Sequence, residues 1–230
     1  MSRFRQPSGS DSRNNLTATS GISLDPAPAL RQKFLSLLYP SAVNEAPLTQ
    51  LPANLPVPED DGACAHLLGS HLPDLSLVST SGYHINLRHR QGLTVLYLYP
   101  LTGRPGVPLP NGWDEIPGAR GCTPESCAFR DHHTEIRQLG AEVFGLSTQS
   151  TDYQREVRER LHLTFDLLSD EAFTFTEALS LPTFTAASMR LLRRVTIISN
   201  SGVIEHVFYP IFPPDRHPAD VVSYLKTRNA

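Results

Sequence analysis

The stretch TVLYLYP, residues 94–100, is a continuous apolar run rich in residues that favour strands. Apolar residues at nearly every position are typical of a central strand that is covered on both faces. The following residues, 101–121, contain four prolines and five glycines, so we predict a long loop without helix or strand. A loop of this length inside a compact domain is usually functional or mobile.

The stretch CTPESCAFRDHHTEIRQLG, residues 122–140, is predicted to be a helix, because Thr123 and Pro124 suit a first turn and Gly140 suits the end. After this helix, apolar runs alternate with polar segments. The chain then closes with a predicted hairpin and a last helix. The predicted elements are strands at 141–148, 165–170 and within 193–209, and helices at 151–162, 171–179 and 217–228, with two short strands before residue 94. This alternation predicts a layered α/β fold with a central mixed β-sheet flanked by helices.

The domain is predicted to cover residues 63–230, after an N-terminal extension at residues 1–62. We expect a disordered tail up to about residue 28, because large apolar residues are scarce there. Residues 29–39 have the apolar spacing of a short amphipathic helix, and four prolines within 41–62 indicate an extended linker.

The composition is that of an ordinary globular chain of 230 residues, with 40% apolar and 19% charged residues. A net charge of −3 gives no reason to expect a nucleic-acid partner, and no apolar run is long enough for a membrane span. Only three cysteines occur, too few for a disulfide scaffold, so we expect a reducing compartment. The expected localisation is cytoplasmic, with a mitochondrial alternative because the N-terminus is rich in arginine and serine.

Two cysteines, Cys122 and Cys127, carry the predicted chemistry. Cys122 follows a buried strand and a loop and starts a helix, where free backbone N–H groups and the helix dipole favour a thiolate. Two cysteines five residues apart on a helix have Cα atoms roughly 8.5 Å apart. A disulfide needs less than about 7 Å, so the first turn must unwind if the pair is to bridge.

Several stretches resemble the PrxQ, or bacterioferritin-comigratory-protein, group of atypical 2-Cys peroxiredoxins. The resemblance runs from about residue 64 to 228 and is most specific at C-T-x-E-x-C-x-F-R-D. It implies a thioredoxin-like fold. The matching stretches are VLYLYP, GCTPESCAFRDH, FGLST, LLSDE and RRVTIISNSGVIEHVF.

The resemblance implies a thiol peroxidase that reduces hydrogen peroxide and organic hydroperoxides. Cys122 matches the peroxidatic cysteine, Cys127 the resolving cysteine, and Glu125 an acidic residue that positions an arginine. Arg193 matches the arginine near the thiolate; its neighbour Arg194 would lie on the opposite face of the strand, so one of the two can serve. Thioredoxin, glutaredoxin or glutathione would be the reductant, without metal or other cofactor, in a monomer or homodimer.

The sequence departs from the family where a threonine normally stands three residues before the peroxidatic cysteine. Ala119 occupies that position, and an insertion separates Pro100 from Cys122. We hypothesise that Thr102 supplies the hydroxyl while the insertion loops out. The insertion contains Trp113. It is expected to form a wall of the peroxide-binding pocket, to dock a reductant, or to be a plain surface insertion.

Other interpretations remain open for the same residues. The two cysteines could be ordinary buried thiols, or they could bind zinc together with His132 and His133. Cys64 has no neighbouring cysteine and is expected to be structural. A redox relay that uses Cys122 without high turnover is the alternative to an enzyme.

Overall fold

A seven-stranded mixed sheet organises the chain in a computed structural model, which describes residues 48–228. The strands lie in the order β2-β1-β5-β4-β3-β8-β9; β3, β4 and β5 are parallel, and the other pairs are antiparallel. The bounds are β1 Leu77–Ser79, β2 His84–Ile85, β3 Leu93–Leu98, β4 Ala141–Ser147, β5 Leu167–Ser169, β8 Val195–Asn200 and β9 Val203–Phe208.

Four α-helices and a separate two-stranded hairpin complete the described part. The helices are α1 Cys122–Gln138, α2 Thr151–Arg160, α3 Thr174–Ala178 and α4 His217–Arg228, and the hairpin joins β6 Thr183–Ala186 to β7 Met189–Leu192. No helix within residues 48–228 is long and apolar enough to cross a membrane.

The central strand β3 sends its side chains into two apolar clusters on opposite faces of the sheet. Val95 and Tyr97 belong to one cluster, together with apolar residues of α1, α2 and α4. Leu96 and Leu98 belong to the other, together with Phe175 of α3. All six residues of β3 are buried, which explains the unbroken apolar run in its sequence.

Most predicted elements are confirmed, including the central strand, the helix that starts at Cys122 and the hairpin between β8 and β9. Three details differ. The β6–β7 hairpin was not predicted, α3 is shorter than the predicted 171–179 helix, and the loop after β3 contains one 3-10 turn at Trp113–Glu115. The predicted tail, the amphipathic helix at 29–39 and the first residues of the linker lie outside the described residues.

The described part of the predicted linker, residues 48–62, is called the strap here. It has no helix or strand, but it packs on the domain near the start of α1. Near its end, Asp61 accepts a hydrogen bond from the Tyr209 hydroxyl at 2.8 Å and pairs with Arg193 at 3.5 Å. The strap is thereby fastened to the segment that follows β9.

The start of α1 depends on a glycine. Gly121 precedes Cys122 with a φ of +107°, a conformation that side chains disfavour. A Cβ here would lie 2.8 Å from Cδ2 of Leu51 in the strap and closer still to Cγ of Pro214. Hence the close packing of these two side chains over the first turn requires glycine.

We predict that Gly121→Ala lowers the free energy of unfolding by about 2–4 kcal/mol, through backbone strain and displacement of Leu51 and Pro214. Gly140→Ala, at the other end of α1, is the matched control: its φ is +86°, but nothing lies within 4 Å of the added Cβ. It should cost only the strain, about 1 kcal/mol. Urea unfolding measures both, and equal losses would contradict the packing argument.

Candidate active site

Cys122 lies at the first position of α1 and is 2% exposed. Its thiol donates to the carbonyl oxygen of Ala119 at 3.6 Å. The guanidinium of Arg194 donates from Nη2 to Sγ of Cys122 at 3.2 Å. A buried sulfur therefore lies in direct contact with a cationic group.

Arg194 is itself buried and is held by groups on α1 and on the preceding loop. Nη1 donates to the carboxylate of Glu125, and Nη2 also lies 3.4 Å from the carbonyl oxygens of Ala119 and Arg120. Among the described residues, Nε of Arg194 and Oε1 of Glu125 have no hydrogen-bond partner.

The assignment of Arg193 as the arginine beside the thiol is wrong in this structure, and Arg194 takes that place. The side chain of Arg193 is 42% exposed and pairs with Asp61 of the strap. The reason is the alternation of side chains along β8, the strand that follows. Ile198 lies in the apolar cluster on the sheet face that packs against α1, whereas Val195 and Ile197 lie in the cluster on the opposite face. The residues of even number in β8, and Arg194 just before it, therefore face α1.

Opposing effects act on the Cys122 thiol. Burial raises its pKa and is the largest effect, and the charge of Glu125 acts in the same direction. The charge of Arg194 and hydrogen bonds from Arg194 and from the backbone of Leu101 lower it. The net direction is upward, contrary to the expectation from the helix start alone, so the thiolate depends on Arg194.

Glu125 is fully buried beside Arg194, as expected for a residue that positions the arginine. Burial raises the pKa of its carboxyl to about 7, although Arg194 pulls it downward. The ion pair fixes the guanidinium next to the sulfur, but a charged Glu125 also disfavours the thiolate. A protonated Glu125 would leave more of the arginine charge to Cys122.

Thr102 is buried, and its hydroxyl donates to Oε1 of Gln149 at 2.9 Å. The backbone of Thr102 is also bonded, through its N–H to Gln149 and through its carbonyl oxygen to the Tyr153 hydroxyl at 2.8 Å. The contact with Cys122 in this segment comes from the backbone of Leu101. The Thr102 hydroxyl oxygen can still accept a hydrogen bond, but its own hydrogen is already donated to Gln149.

Cys127 lies in the same unbroken helix as Cys122, and both are free thiols. It is half-buried against the apolar cluster on the α1 face. Burial raises the pKa of its thiol, while Arg130 and Arg160 lower it. Because the helix is regular over both positions, a bridge between them requires the first turn to unwind.

The remaining candidates do not join the site. Cys64 is buried in the cluster on the opposite face, and burial beside Asp61 and Asp60 raises its pKa to about 12. His133 bonds to Thr164, and His132 pairs with Glu135. No group of three or more metal-ligating side chains occurs within residues 48–228.

The long loop after β3 forms a third apolar cluster beside the site. Trp113 is 3% exposed and lies 6.1 Å, between ring centroids, from Phe184 of β6. Ala119, whose carbonyl oxygen contacts the thiol and Arg194, belongs to the same cluster. The loop therefore has a packed core, and its tryptophan is not available for docking.

Sequence reasoning missed the backbone groups at the sulfur, those of Ala119 and Leu101. No residue type identifies a backbone contact in advance. The sequence analysis considered Arg194 only as the substitute for Arg193. Two adjacent arginines before a strand point to opposite faces of the sheet, and nothing in the local sequence indicates which face packs against α1.

Comparisons with known proteins identify the family of this chain. The Redoxin family model matches residues 67–225. Peroxiredoxin Bcp of Escherichia coli is 31% identical over 163 residues, which is 69% of this chain and 94% of that protein. Chloroplastic peroxiredoxin Q of Oryza sativa subsp. japonica is 27% identical over 188 residues, 79% of each chain. These relatives support the peroxidase prediction and give no support to the relay alternative.

Solved structures show the same fold. Peroxidoxin BcpB of Mycobacterium tuberculosis matches with a TM-score of 0.57 at 23% identity, covering 70% of this chain and 96% of that one. A cysteine-to-serine mutant of PrxQ from Xylella fastidiosa matches with a TM-score of 0.58 at 20% identity, covering 71% and 97%. The predicted thioredoxin-like fold is confirmed by these neighbours, and the chain belongs to the peroxiredoxin family, in its peroxiredoxin Q/Bcp group.

Proposed function

We propose that Cys122 is the peroxidatic cysteine of this peroxiredoxin and that Cys127 resolves it, in the reduction of hydrogen peroxide and organic hydroperoxides. The observation that carries the proposal is the contact between Arg194 and the buried sulfur at the start of α1. A cation fixed beside a thiol favours the thiolate, which is the reactive nucleophile.

In the first step, the Cys122 thiolate attacks the terminal oxygen of the hydroperoxide. The S–O bond forms as the O–O bond breaks, and the alkoxide or hydroxide leaves with the electron pair and takes up a proton. The sulfur becomes a sulfenic acid, and the peroxide becomes an alcohol or water. The guanidinium of Arg194, which lies beside the sulfur, is well suited to stabilise the negative charge that develops on the oxygens.

In the second step, the Cys127 thiol condenses with the sulfenic acid, and water leaves as the disulfide forms. This step requires the first turn of α1 to unwind from under Leu51 and Pro214. A dithiol or two monothiols then reduce the disulfide. Thioredoxin, glutaredoxin or glutathione would supply these electrons in a reducing compartment such as the cytoplasm.

Substitution of each cysteine separates the two steps. Cys122→Ser should abolish peroxide consumption, because it removes the nucleophile. Cys127→Ser should react once and then accumulate sulfenic or sulfinic acid on Cys122. Intact-mass analysis after one equivalent of hydrogen peroxide should show a loss of two mass units in the wild type and a gain of 16 in Cys127→Ser, which should rise to 32 with a second equivalent.

Either of two results would contradict these roles. Substantial turnover by Cys122→Ser would remove it as the nucleophile. Normal cycling of Cys127→Ser with thioredoxin would mean that Cys64 or an external thiol resolves the sulfenic acid.

Arg194→Met should slow the first step at pH 7 by roughly 100-fold or more, since it removes the charge and a donor at the sulfur. The loss of the cation should also raise the pKa of Cys122 further, so the midpoint of the rate profile should move to higher pH. Stopped-flow measurement of sulfenic acid formation with hydrogen peroxide, from pH 5 to 10, tests both effects.

Arg193→Met is the matched control, because Arg193 is adjacent in sequence but faces the strap. Its rate with hydrogen peroxide should stay within about threefold of the wild type, the scale of a distant surface charge. If Arg193→Met were the slower variant, the assignment of Arg194 would be overturned.

The proposed role of Thr102 is to accept a hydrogen bond from the hydroperoxide. Thr102→Val should then lower the first-step rate roughly tenfold, whereas Thr102→Ser, which keeps the hydroxyl, should retain most of it. Gln149 keeps its bond to the Thr102 N–H in both variants. A wild-type rate in Thr102→Val would refute the role.

A further inference from the structure

The second cysteine of the proposed cycle has a cationic neighbour of its own. Arg130 follows Cys127 by three residues in α1, so the two side chains share one face of the helix. The guanidinium donates a hydrogen bond to the sulfur of Cys127, and both this bond and the charge lower the pKa of the thiol. Cys127 thus has an arginine at its sulfur, as Cys122 has Arg194.

Arg130 is held in this position by contacts on two sides. Nη1 donates to the carbonyl oxygen of Leu161 at the end of α2 at 2.8 Å, and Nε donates to Oδ1 of Asp131 at 2.9 Å. A guanidinium carries five N–H donors, so these bonds are compatible with the one to the sulfur. The side chain is 30% exposed, so water screens its charge only in part.

Other charged groups face Cys127 from α1 and α2. Arg160, the last residue of α2, lowers the pKa of the thiol, and Asp131 raises it. Arg160 is itself paired with Glu156 at 2.7 Å. Burial is the largest effect and leaves the pKa of Cys127 above its ordinary value. The thiolate fraction at neutral pH is therefore small and depends on the cations beside the sulfur.

The part of α1 that carries Arg130 is anchored to the rest of the domain. Phe129 is fully buried and stacks on Tyr97 of β3, with ring centroids 4.3 Å apart. Together with the bond from Arg130 to Leu161, this contact fixes the second turn of α1, whereas a bridge requires only the first turn to unwind. Arg130 would thus stay beside Cys127 while the other cysteine moves toward it.

We propose that Arg130 is a further catalytic residue, which stabilises the Cys127 thiolate in the resolving step and thereby limits the over-oxidation of Cys122. The thiolate attacks the sulfur of the sulfenic acid. The S–S bond forms as the S–O bond breaks, and the hydroxide that leaves combines with the proton lost by the Cys127 thiol to give water. The inference rests on the proposed function and assigns a residue to its second step.

The link to over-oxidation is kinetic. A sulfenic acid that is not resolved can react with a second peroxide and become a sulfinic acid. The rate at which Cys127 attacks therefore decides how much peroxide Cys122 survives, and Arg130 acts on that rate through the thiolate.

The test follows the resolving step directly, by rapid quenching and intact-mass analysis of the full-length chain after one equivalent of hydrogen peroxide. Conversion of the species that gained 16 mass units into the one that lost two measures the rate. Arg130→Met should slow this conversion roughly fivefold to tenfold at pH 7, because the smaller thiolate fraction outweighs the greater nucleophilicity of a more basic thiolate. With excess peroxide, the sulfinic product formed per turnover should rise by a similar factor.

The pH dependence separates this role from a purely structural one. The deficit of Arg130→Met should shrink as the pH is raised from 6 to 10, because the thiolate then forms without help from the cation. Arg130→Lys keeps the charge and should stay within about twofold of the wild type at pH 7. In the Cys122→Ser background, alkylation of Cys127 by iodoacetamide should reach its midpoint at higher pH when Arg130 is replaced by methionine.

Arg137→Met is the matched control, because it removes the same charge from an exposed position of α1, ten residues or about 15 Å beyond Cys127. Its conversion rate should stay within about twofold of the wild type. The inference is overturned if Arg130→Met resolves at the wild-type rate, if its deficit is the same at every pH, or if Arg130→Lys is equally slow. A wild type that forms no bridge between Cys122 and Cys127 would instead refute the proposed function, and the inference with it.

Discussion

The buried ion pair between Arg194 and Glu125 is the interaction on which the site depends. A guanidinium that is 3% exposed loses much of its hydration, and only a nearby carboxylate and carbonyl oxygens make this burial tolerable. In return, the cation is fixed against the one sulfur that begins a helix. The same ion pair joins the start of β8 to the first turn of α1, so it also aligns the sheet with the helix that carries both cysteines.

This arrangement sets two requirements against each other. Burial protects the sulfur from water and favours the neutral thiol, whereas catalysis needs the thiolate. Arg194 and the backbone of Leu101 work against burial, and Glu125 holds the arginine while weakening its effect on the sulfur. The site is therefore sensitive to small changes in charge, and the carboxyl with a pKa of about 7 lies in the range where such changes occur.

Much of the fold follows from the sequence because the local patterns are strong. The unbroken apolar run marks β3, the Cys-Thr-Pro start marks α1, and Asn200-Ser201-Gly202 marks the last hairpin. The β6–β7 hairpin was missed for a physical reason: its turn residues, Ala187 and Ser188, both have positive φ values but are neither glycine nor asparagine. The choice between Arg193 and Arg194 was out of reach because it depends on which sheet face α1 covers, a tertiary fact.

The close packing of Leu51 and Pro214 over Gly121 has a consequence for the energetics of the proposed cycle. The dithiol form keeps this packing and the first helical turn, whereas the disulfide form must give both up. Any interaction that holds the turn thus stabilises the reduced state and raises the reduction potential of the Cys122–Cys127 couple, by about 20 mV for each kcal/mol. In the proposed cycle the strap, though remote in sequence from both cysteines, would thereby make the disulfide a stronger oxidant and an easier substrate for its reductant.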